Sequence, residues 1–414
     1  MLPVDCAYTT ILDLTQPLDP QYDRETVPLL AAAGRILAAP VISPLDFPHW
    51  DNSAMDGYAV RYADVQTATP DRPVQLTVVM EIPAGSHPQT PLQAGQAARI
   101  FTGAMLPPGA DTIVIQEHTQ RQGDTVTIQQ APYPQAFVRH QGSFHRAGAP
   151  LLPAGMQLQA AAIAVLAAAQ CPQVTVYRRP RVAILSTGDE LVAPDRPLQP
   201  GQLVDSNQYA LATLVQQTGA NPLPLGSVPD RPDTLRAAIA QAISQADVVL
   251  SSGGVSVGDY DYVAQILTEL GGTIAINAVA IKPGKPLTVA TFPTPASARS
   301  TLYFGLPGNP VSALVTYWRF VQPALKKLAG LANTWEPTWV WATAHQDLPS
   351  DQRRESYLWG GLTPDTQGYR FALVAGGHNS GNLISLAQAN ALAIVPVGTP
   401  IAAGEPVRVM LINA

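Results

Sequence analysis

Val182-Ala183-Ile184-Leu185-Ser186-Thr187-Gly188-Asp189-Glu190 runs from an apolar, strand-like stretch into a polar, glycine-bearing turn. The same rhythm recurs downstream, where Val248-Val249-Leu250 leads into Ser251-Ser252-Gly253-Gly254 and Leu302-Tyr303-Phe304 into Gly305-Leu306-Pro307-Gly308-Asn309-Pro310. Helical spacing fills the intervals over 207–218, 232–244 and 263–270, with further strand-like runs near 222–226, 274–281 and 287–291. Repeated strand–helix units require crossover connections, so a mainly parallel sheet with helices on both faces is predicted from residue 181 onward. A long helix is predicted from Pro310 to Leu328, with proline in its first turn, Asn309 as N-cap and Gly330 as its stop. In such a sheet the loops at the carboxyl ends of the strands gather on one edge, where exposed N–H groups and helix N-termini favour anions. The region is built to hold something phosphorylated.

Outward from this region the pattern changes twice. Residues 9–42 carry helical spacing, with Ala31-Ala32-Ala33-Gly34 reading as a helix ended by glycine. From about 48 to 139 short alternating runs such as Val74-Gln75-Leu76-Thr77-Val78-Val79 and Thr112-Ile113-Val114-Ile115, punctuated by Gly and Pro, predict a β segment. Helical character returns over 158–170, followed by the strand Gln173-Val174-Thr175-Val176-Tyr177, which makes the β segment an insertion in a helical domain. Beyond the long helix, the runs Trp339-Val340-Trp341-Ala342-Thr343, Leu392-Ala393-Ile394-Val395 and Val407-Arg408-Val409-Met410-Leu411 predict a small closing β domain. The expected division is 1–47 with 140–178, 48–139, 179–330 and 331–414.

Composition narrows the function. A net charge of −6 with 13% charged residues gives no basic face for a nucleic-acid backbone. Two cysteines without a CxxC pair point to a reducing compartment, and Met1–Thr10 has neither a basic stretch nor an apolar signal core, so the cytoplasm is expected. The apolar run over 158–169 is too short to span a bilayer.

The motifs allow several chemistries. Gly253 to Gly258 has GxxxxG spacing, but Asp259 stands where a nucleoside-triphosphate loop needs lysine. Gly254-Val255-Ser256-Val257-Gly258 matches GxSxG, yet it overlaps the double-glycine loop and prescribes no partner histidine, which disfavours a serine nucleophile. Lys282 and Lys285 flank Pro283-Gly284, holding two cationic heads near one stiff turn able to clamp a phosphate or oxyanion; two solvated lysines are the plainer alternative. Glu190, Asp230 and Asp261 each follow a predicted strand, on the edge where a hard divalent cation could meet carboxylate and phosphate oxygens together. Each also has a plain role as a loop acid or helix cap. No HExxH string and no zinc-spaced Cys/His group occurs.

Taken together, Asp51-Asn52-Ser53-Ala54-Met55-Asp56-Gly57-Tyr58, Arg99-Ile100-Phe101-Thr102-Gly103-Ala104, Ser186 to Leu191, Ser251 to Gly258, Lys282 to Pro286 and Gly305 to Ser312 resemble the molybdopterin molybdenumtransferase family of the MoeA type, to which the E domain of gephyrin also belongs. The resemblance covers nearly the whole chain. It implies a multidomain α/β plus β fold: a helical N-terminal domain, an inserted β domain, a central MogA-like α/β molybdopterin-binding domain with a mainly parallel sheet, and a C-terminal β barrel. It also implies a homodimer whose site is shared between subunits, with molybdopterin adenylyltransferase and molybdoenzymes as partners.

The implied reaction inserts molybdate into adenylylated molybdopterin and releases AMP, with Mg²⁺ as the metal. By motif match, Glu190, Asp230 and Asp261 would serve the metal and the nucleotide phosphates, and Lys282 and Lys285 the anionic pterin or oxyanion. Asp56 and Thr102 would reach the site across the dimer. Thr187, Gly188, Ser251, Gly253, Gly254, Ser256, Gly258, Pro307, Gly308 and Pro310 would line the cofactor, and Arg354 and Ser380 would bind molybdate. Two departures stand out. Gly142-Ser143-Phe144 lacks the two acids usual in the family, and Ala278 replaces a basic residue. A non-catalytic cofactor scaffold and an adenylyltransferase are the competing readings; the first would bind pterin without releasing AMP, and the second would make pyrophosphate from ATP.

Overall fold

The computed structural model describes residues 1–253, 262–294, 299–366 and 368–412, and the chain divides into two compact units. One comprises Met1–Ala39, Ala154–Ala160 and Gln173–Ala414; the other comprises Pro40–Pro153 and Ala161–Pro172.

In the first unit, six strands form the central sheet: β1 (Arg181–Thr187), β2 (Asn221–Val228), β3 (Val248–Ser252), β4 (Thr273–Ala278), β5 (Pro286–Phe292) and β6 (Thr301–Leu306), in the order β2-β1-β3-β6-β5-β4. The first four strands in that order are parallel, as expected, while β5 runs antiparallel to both its neighbours. Short links allow this, since two strands joined by a few residues cannot form a crossover. Strand periodicity splits the core in two. Val182, Ile184, Val248, Leu250, Leu302 and Phe304 face the helices Ser206–Gln217 and Pro310–Thr316 on one side. Ala183, Leu185, Val249 and Tyr303 face Pro232–Gln245 and Tyr262–Glu269 on the other.

The helix from Pro310 continues through Tyr317–Val321 and Gln322–Leu328, and Gly330 lies beyond it at φ +88°. Asn309 occupies the N-cap position, but its side chain makes no capping bond. Near the N-terminus the expected helix over 9–42 is largely absent. Helix Val4–Leu14 buries Val4, Ala7 and Ile11 at helical spacing, whereas Arg24–Pro28 is extended and pairs antiparallel with Gln173–Tyr177. The alanine run makes only the 3₁₀ turn Leu29–Ala32, because Pro28 and Gly34 leave too few residues between them to repay helix nucleation.

A closed five-stranded barrel follows. Glu355–Asp365 pairs with both Gly368–Leu373 and Ala391–Val395, and the ring returns through Pro406–Leu411 and Trp339–Ala344 to Gly368–Leu373. Phe371, Leu362, Val395 and Val407 are among its buried residues. A two-residue strand, Ile281–Lys282, adds in parallel to Glu355 and Ser356.

The second unit carries a six-stranded sheet in the order Thr112–Ile115, Gly57–Val60, Gln96–Ile100, Val74–Ile82, Thr125–Ile128, Thr119–Gln122. Its alternating strands bury Tyr58, Val60, Leu76 and Val114 on one face and Ala59, Ile82, Ala98 and Ile113 on the other. Among the described residues, no helix is long and apolar enough to cross a membrane.

Candidate functional site

At the carboxyl edge of the parallel strands lies a cavity of about 750 Å³, whose wall includes Thr187, Glu190, Asp230, Gly253, Pro307, Gly308 and Pro310. Three loops meet there at close quarters. Gly253 has φ +93°, and a Cβ on it would come within 2.5 Å of the Thr187 carbonyl oxygen, so only glycine lets these loops approach. A Cβ on Gly188 would sit 2.7 Å from a Glu190 carboxylate oxygen, so its absence gives that carboxylate room to fold back over the strand end. Partial burial pushes the Asp230 carboxyl above its ordinary value; the charges of Glu190 and Asp189 add to this, and the Thr187 hydroxyl opposes it. The two acids therefore repel each other across one wall.

Between β1 and β2 the sequence Asp205-Ser206-Asn207 sets a further part of that wall. Asp205 caps the following helix by accepting from the Gln208 backbone N–H at 3.1 Å. Asn207 donates through Nδ2 to Ser252 Oγ at 2.6 Å and to the Gly308 carbonyl at 2.8 Å, which fixes the amide and leaves Oδ1 buried without a partner. Ser186 Oγ, fully buried, is likewise unpaired. Ser251, expected in the cofactor wall, points elsewhere: strand alternation buries it against Tyr303, whose hydroxyl lies 2.5 Å from Ser251 Oγ, and Ser252 lines the cavity instead.

A second cavity of about 610 Å³ shares Pro286, Asn309 and Ser312 with the first, so the two are contiguous. Its wall carries Lys282, Lys285, Arg354 and Ser380. The lysine turn depends on Gly284, which has φ +115° and whose Cβ would meet Thr316 Cγ2 at 2.6 Å. Asp351, not anticipated from sequence, ties the cations together: its Oδ2 lies 3.0 Å from Arg354 Nη2 and 3.2 Å from Lys282 Nζ. The Arg354 hydrogen bond, with the Arg353 backbone N–H and Lys282, holds the Asp351 carboxyl far below the usual carboxylate range. Ser380 is held by its carbonyl, which accepts from Val311 N–H at 3.0 Å. Asn309, freed from capping, lines both cavities.

Asp56 and Thr102 belong to the second unit, where Asp56 Oδ1 accepts from Thr102 N–H at 2.8 Å and from its hydroxyl at 2.7 Å. Those bonds, the hydroxyl's first, hold the Asp56 carboxyl below its ordinary value. Gly254, Ser256, Gly258 and Asp261 lie outside the described residues. Among the described residues, no three of His, Cys, Asp and Glu gather as a metal site.

Comparison with known proteins places this architecture. Residues 2–169 match the MoeA N-terminal region (domain I and II), 183–327 a probable molybdopterin binding domain, and 342–412 the MoeA C-terminal region (domain IV). A molybdopterin molybdenumtransferase of Nostoc sp. is 59% identical over 97% of this chain and 91% of its own length. One from Haemophilus influenzae is 38% identical over 84% of this chain and 83% of its own. The crystal structure of a molybdopterin biosynthesis MoeA protein from Pyrococcus horikoshii superposes over 100% of both chains with a TM-score of 0.80 at 31% identity. Three consecutive family regions that together span nearly the whole sequence, on a sheet and barrel that match solved members, make this chain a member of the MoeA molybdopterin molybdenumtransferase family.

Proposed function

We propose that this protein is the transferase that inserts molybdate into adenylylated molybdopterin and releases AMP, yielding molybdenum cofactor. The observation that carries the reading is the contiguity of the two cavities, one walled by the acids Glu190 and Asp230 and the other by the cations Lys282, Lys285 and Arg354. An acid pair alone would repel a phosphorylated guest, and cations alone would bind any anion. Side by side they suit a guest that carries phosphates toward the acids, through a divalent ion, and receives an oxyanion from the cations.

The residues present fit Mg²⁺. Two carboxylates of mutually unfavourable charge share one wall, and Mg²⁺ is held by one or two carboxylates with water and substrate phosphates completing its shell. When bound, it would supply charge neutralisation on the phosphoanhydride. Glu190 and Asp230 would hold it, and Asp261 is the third acid proposed for this role. Lys282 and Lys285 would orient the oxyanion, with Arg354 and Ser380 completing that end. The unpaired Asn207 Oδ1 suits the N–H edge of a pterin better than a phosphate, whose oxygens a carbonyl oxygen would repel, while the Ser186 hydroxyl can donate or accept.

The test is direct. Purified protein given adenylylated molybdopterin, molybdate and Mg²⁺ is expected to release AMP only when molybdate is present, with product that reactivates a molybdenum-free apoenzyme. Unchanged pterin nucleotide at saturation would favour the scaffold reading. Pyrophosphate made from ATP would favour the adenylyltransferase.

We also infer a cytoplasmic homodimer in which Asp56 and Thr102 of one copy serve the cavities of the other. Mixing Asp56→Ala with Lys285→Ala homodimers under exchange conditions is expected to restore about a quarter of the parent activity, since half the dimers then carry one intact site out of two. A mixture no more active than its components would rule out a shared site.

A further inference from the structure

The oxyanion cavity contains a side chain that the family motifs do not use. His378 lines it together with Lys282, Lys285, Arg354 and Ser380. Its ring packs on Trp359, with centroids 4.3 Å apart and planes inclined at 54°. Trp359 is a fixed platform: it is 1% exposed, and its Nε1 donates to Ser385 Oγ at 2.8 Å. The loop bearing His378 is pinned as well, because Asn382 Nδ2 donates to the Gly376 carbonyl at 2.8 Å and Asn379 Oδ1 accepts from Gly381 N–H at 3.0 Å.

Both imidazole nitrogens are nevertheless shielded from solvent and without a hydrogen-bond partner. A neutral imidazole carries one N–H donor and one acceptor, and buried groups of this kind are almost always paired. A ring stacked on a fixed platform in the wall of a cationic cavity, with both nitrogens unpaired, gains a partner by turning one nitrogen toward a guest. Burial also lowers the tendency of His378 to take up a proton, so the ring offers a directed N–H and not another diffuse charge.

We propose that His378 turns its ring edge to contact the substrate oxyanion directly, its N–H donating to one oxygen of a tetrahedral dianion whose charge is balanced by Lys282, Lys285 and Arg354. This rests on reading the cavity as the molybdate site. Lysine ammonium groups attract without fixing direction, whereas an imidazole N–H on a ring backed by Trp359 fixes where one oxygen must lie. The role would be binding and orientation.

Calorimetric titration of molybdate into the full chain at one pH and ionic strength tests this with the parent, His378→Phe, His378→Gln and Arg354→Ala. His378→Phe keeps an aromatic ring on Trp359 but removes the donor. It is expected to weaken molybdate about ten- to a hundredfold, the range for a hydrogen bond to a charged group, while the thermal midpoint stays put. His378→Gln, which restores an N–H, is expected to recover part of the loss. In the ¹⁵N-histidine-labelled parent, one imidazole signal should shift on saturation with molybdate. If His378→Phe binds within twofold of the parent while Arg354→Ala does not bind, the inference fails and the oxyanion site stands. If the parent itself binds no molybdate, the reading of the cavity fails first. Should His378→Phe not fold, the labelled parent decides, and unmoved imidazole signals at saturation would overturn the proposal.

Discussion

Replacing Asp247 with alanine is expected to cost about 3–5 kcal/mol of folding stability, the range for stripping one partner from a buried ion-pair network. Asp247 is 5% exposed and sits at the start of β3, where both of its oxygens are engaged. Arg178 reaches it twice, at 2.7 and 2.8 Å, Arg299 once at 2.6 Å, and the Arg181 backbone N–H at 2.8 Å. The same two arginines also hold Asp23, each at 2.8 Å. Four segments remote in sequence are thus fastened at one point. Alanine would leave two partly buried guanidinium groups with half their counter-charge gone. Urea unfolding monitored by far-ultraviolet circular dichroism should show the midpoint falling with little change in slope. A loss below about 1 kcal/mol would mean the network is neutral in net energy, as some buried pairs are.

The pH dependence has a definite sign. Burial pushes the Asp247 carboxyl up, but the Arg178 bonds, the Arg181 N–H and the two arginine charges outweigh it, so the group lies below its ordinary value; Asp23 is lowered too. An acid whose folded value is depressed stabilises the fold above its unfolded value, near 4, and that contribution is lost as pH falls through the folded value. Parent and Asp247→Ala should therefore differ most at neutral pH and converge in strong acid.

How much of this was legible in the sequence depends on the distance over which each feature is determined. Strands β1, β3 and β6 announce themselves because they are buried on both faces, and the glycine turns that end them mark the cavity edge from local signals alone. Glu190 and Asp230 follow from the same logic, since each lies just past a strand. The strand Glu355–Asp365 was not legible: Gly360, Gly361 and Pro364 interrupt its pattern, and only closure of the barrel makes it a strand. The cationic end was half legible. Lys282 and Lys285 stand out as a turn, but Arg354 comes beside them through the pairing of Ile281–Lys282 with Glu355 and Ser356, and through the Asp351 bridge. Neither leaves a periodic trace. His378 was invisible for another reason. Its interest lies in which nitrogens are unpaired, and that is a property of packing.

Asp230→Asn is expected to fold as well as the parent yet lose about a hundredfold or more in molybdate-dependent AMP release, the scale seen when one well-placed electrostatic stabiliser is removed. The substitution preserves shape and removes charge from the wall where Asp230 and Glu190 oppose each other. Without a cation, that opposition only raises the energy of the native state, so asparagine should leave the thermal midpoint unchanged or higher in chelator. With Mg²⁺ present the order should invert, because the parent gains stability from binding and the variant gains less. Stability and turnover would then move in opposite directions, which damage to the fold cannot produce. Steady-state release of AMP across a Mg²⁺ series, alongside melting curves with and without the ion, reads both effects in one preparation. Turnover within threefold of the parent, or a midpoint that falls in chelator, would show that Asp230 serves the sheet edge and not the phosphates.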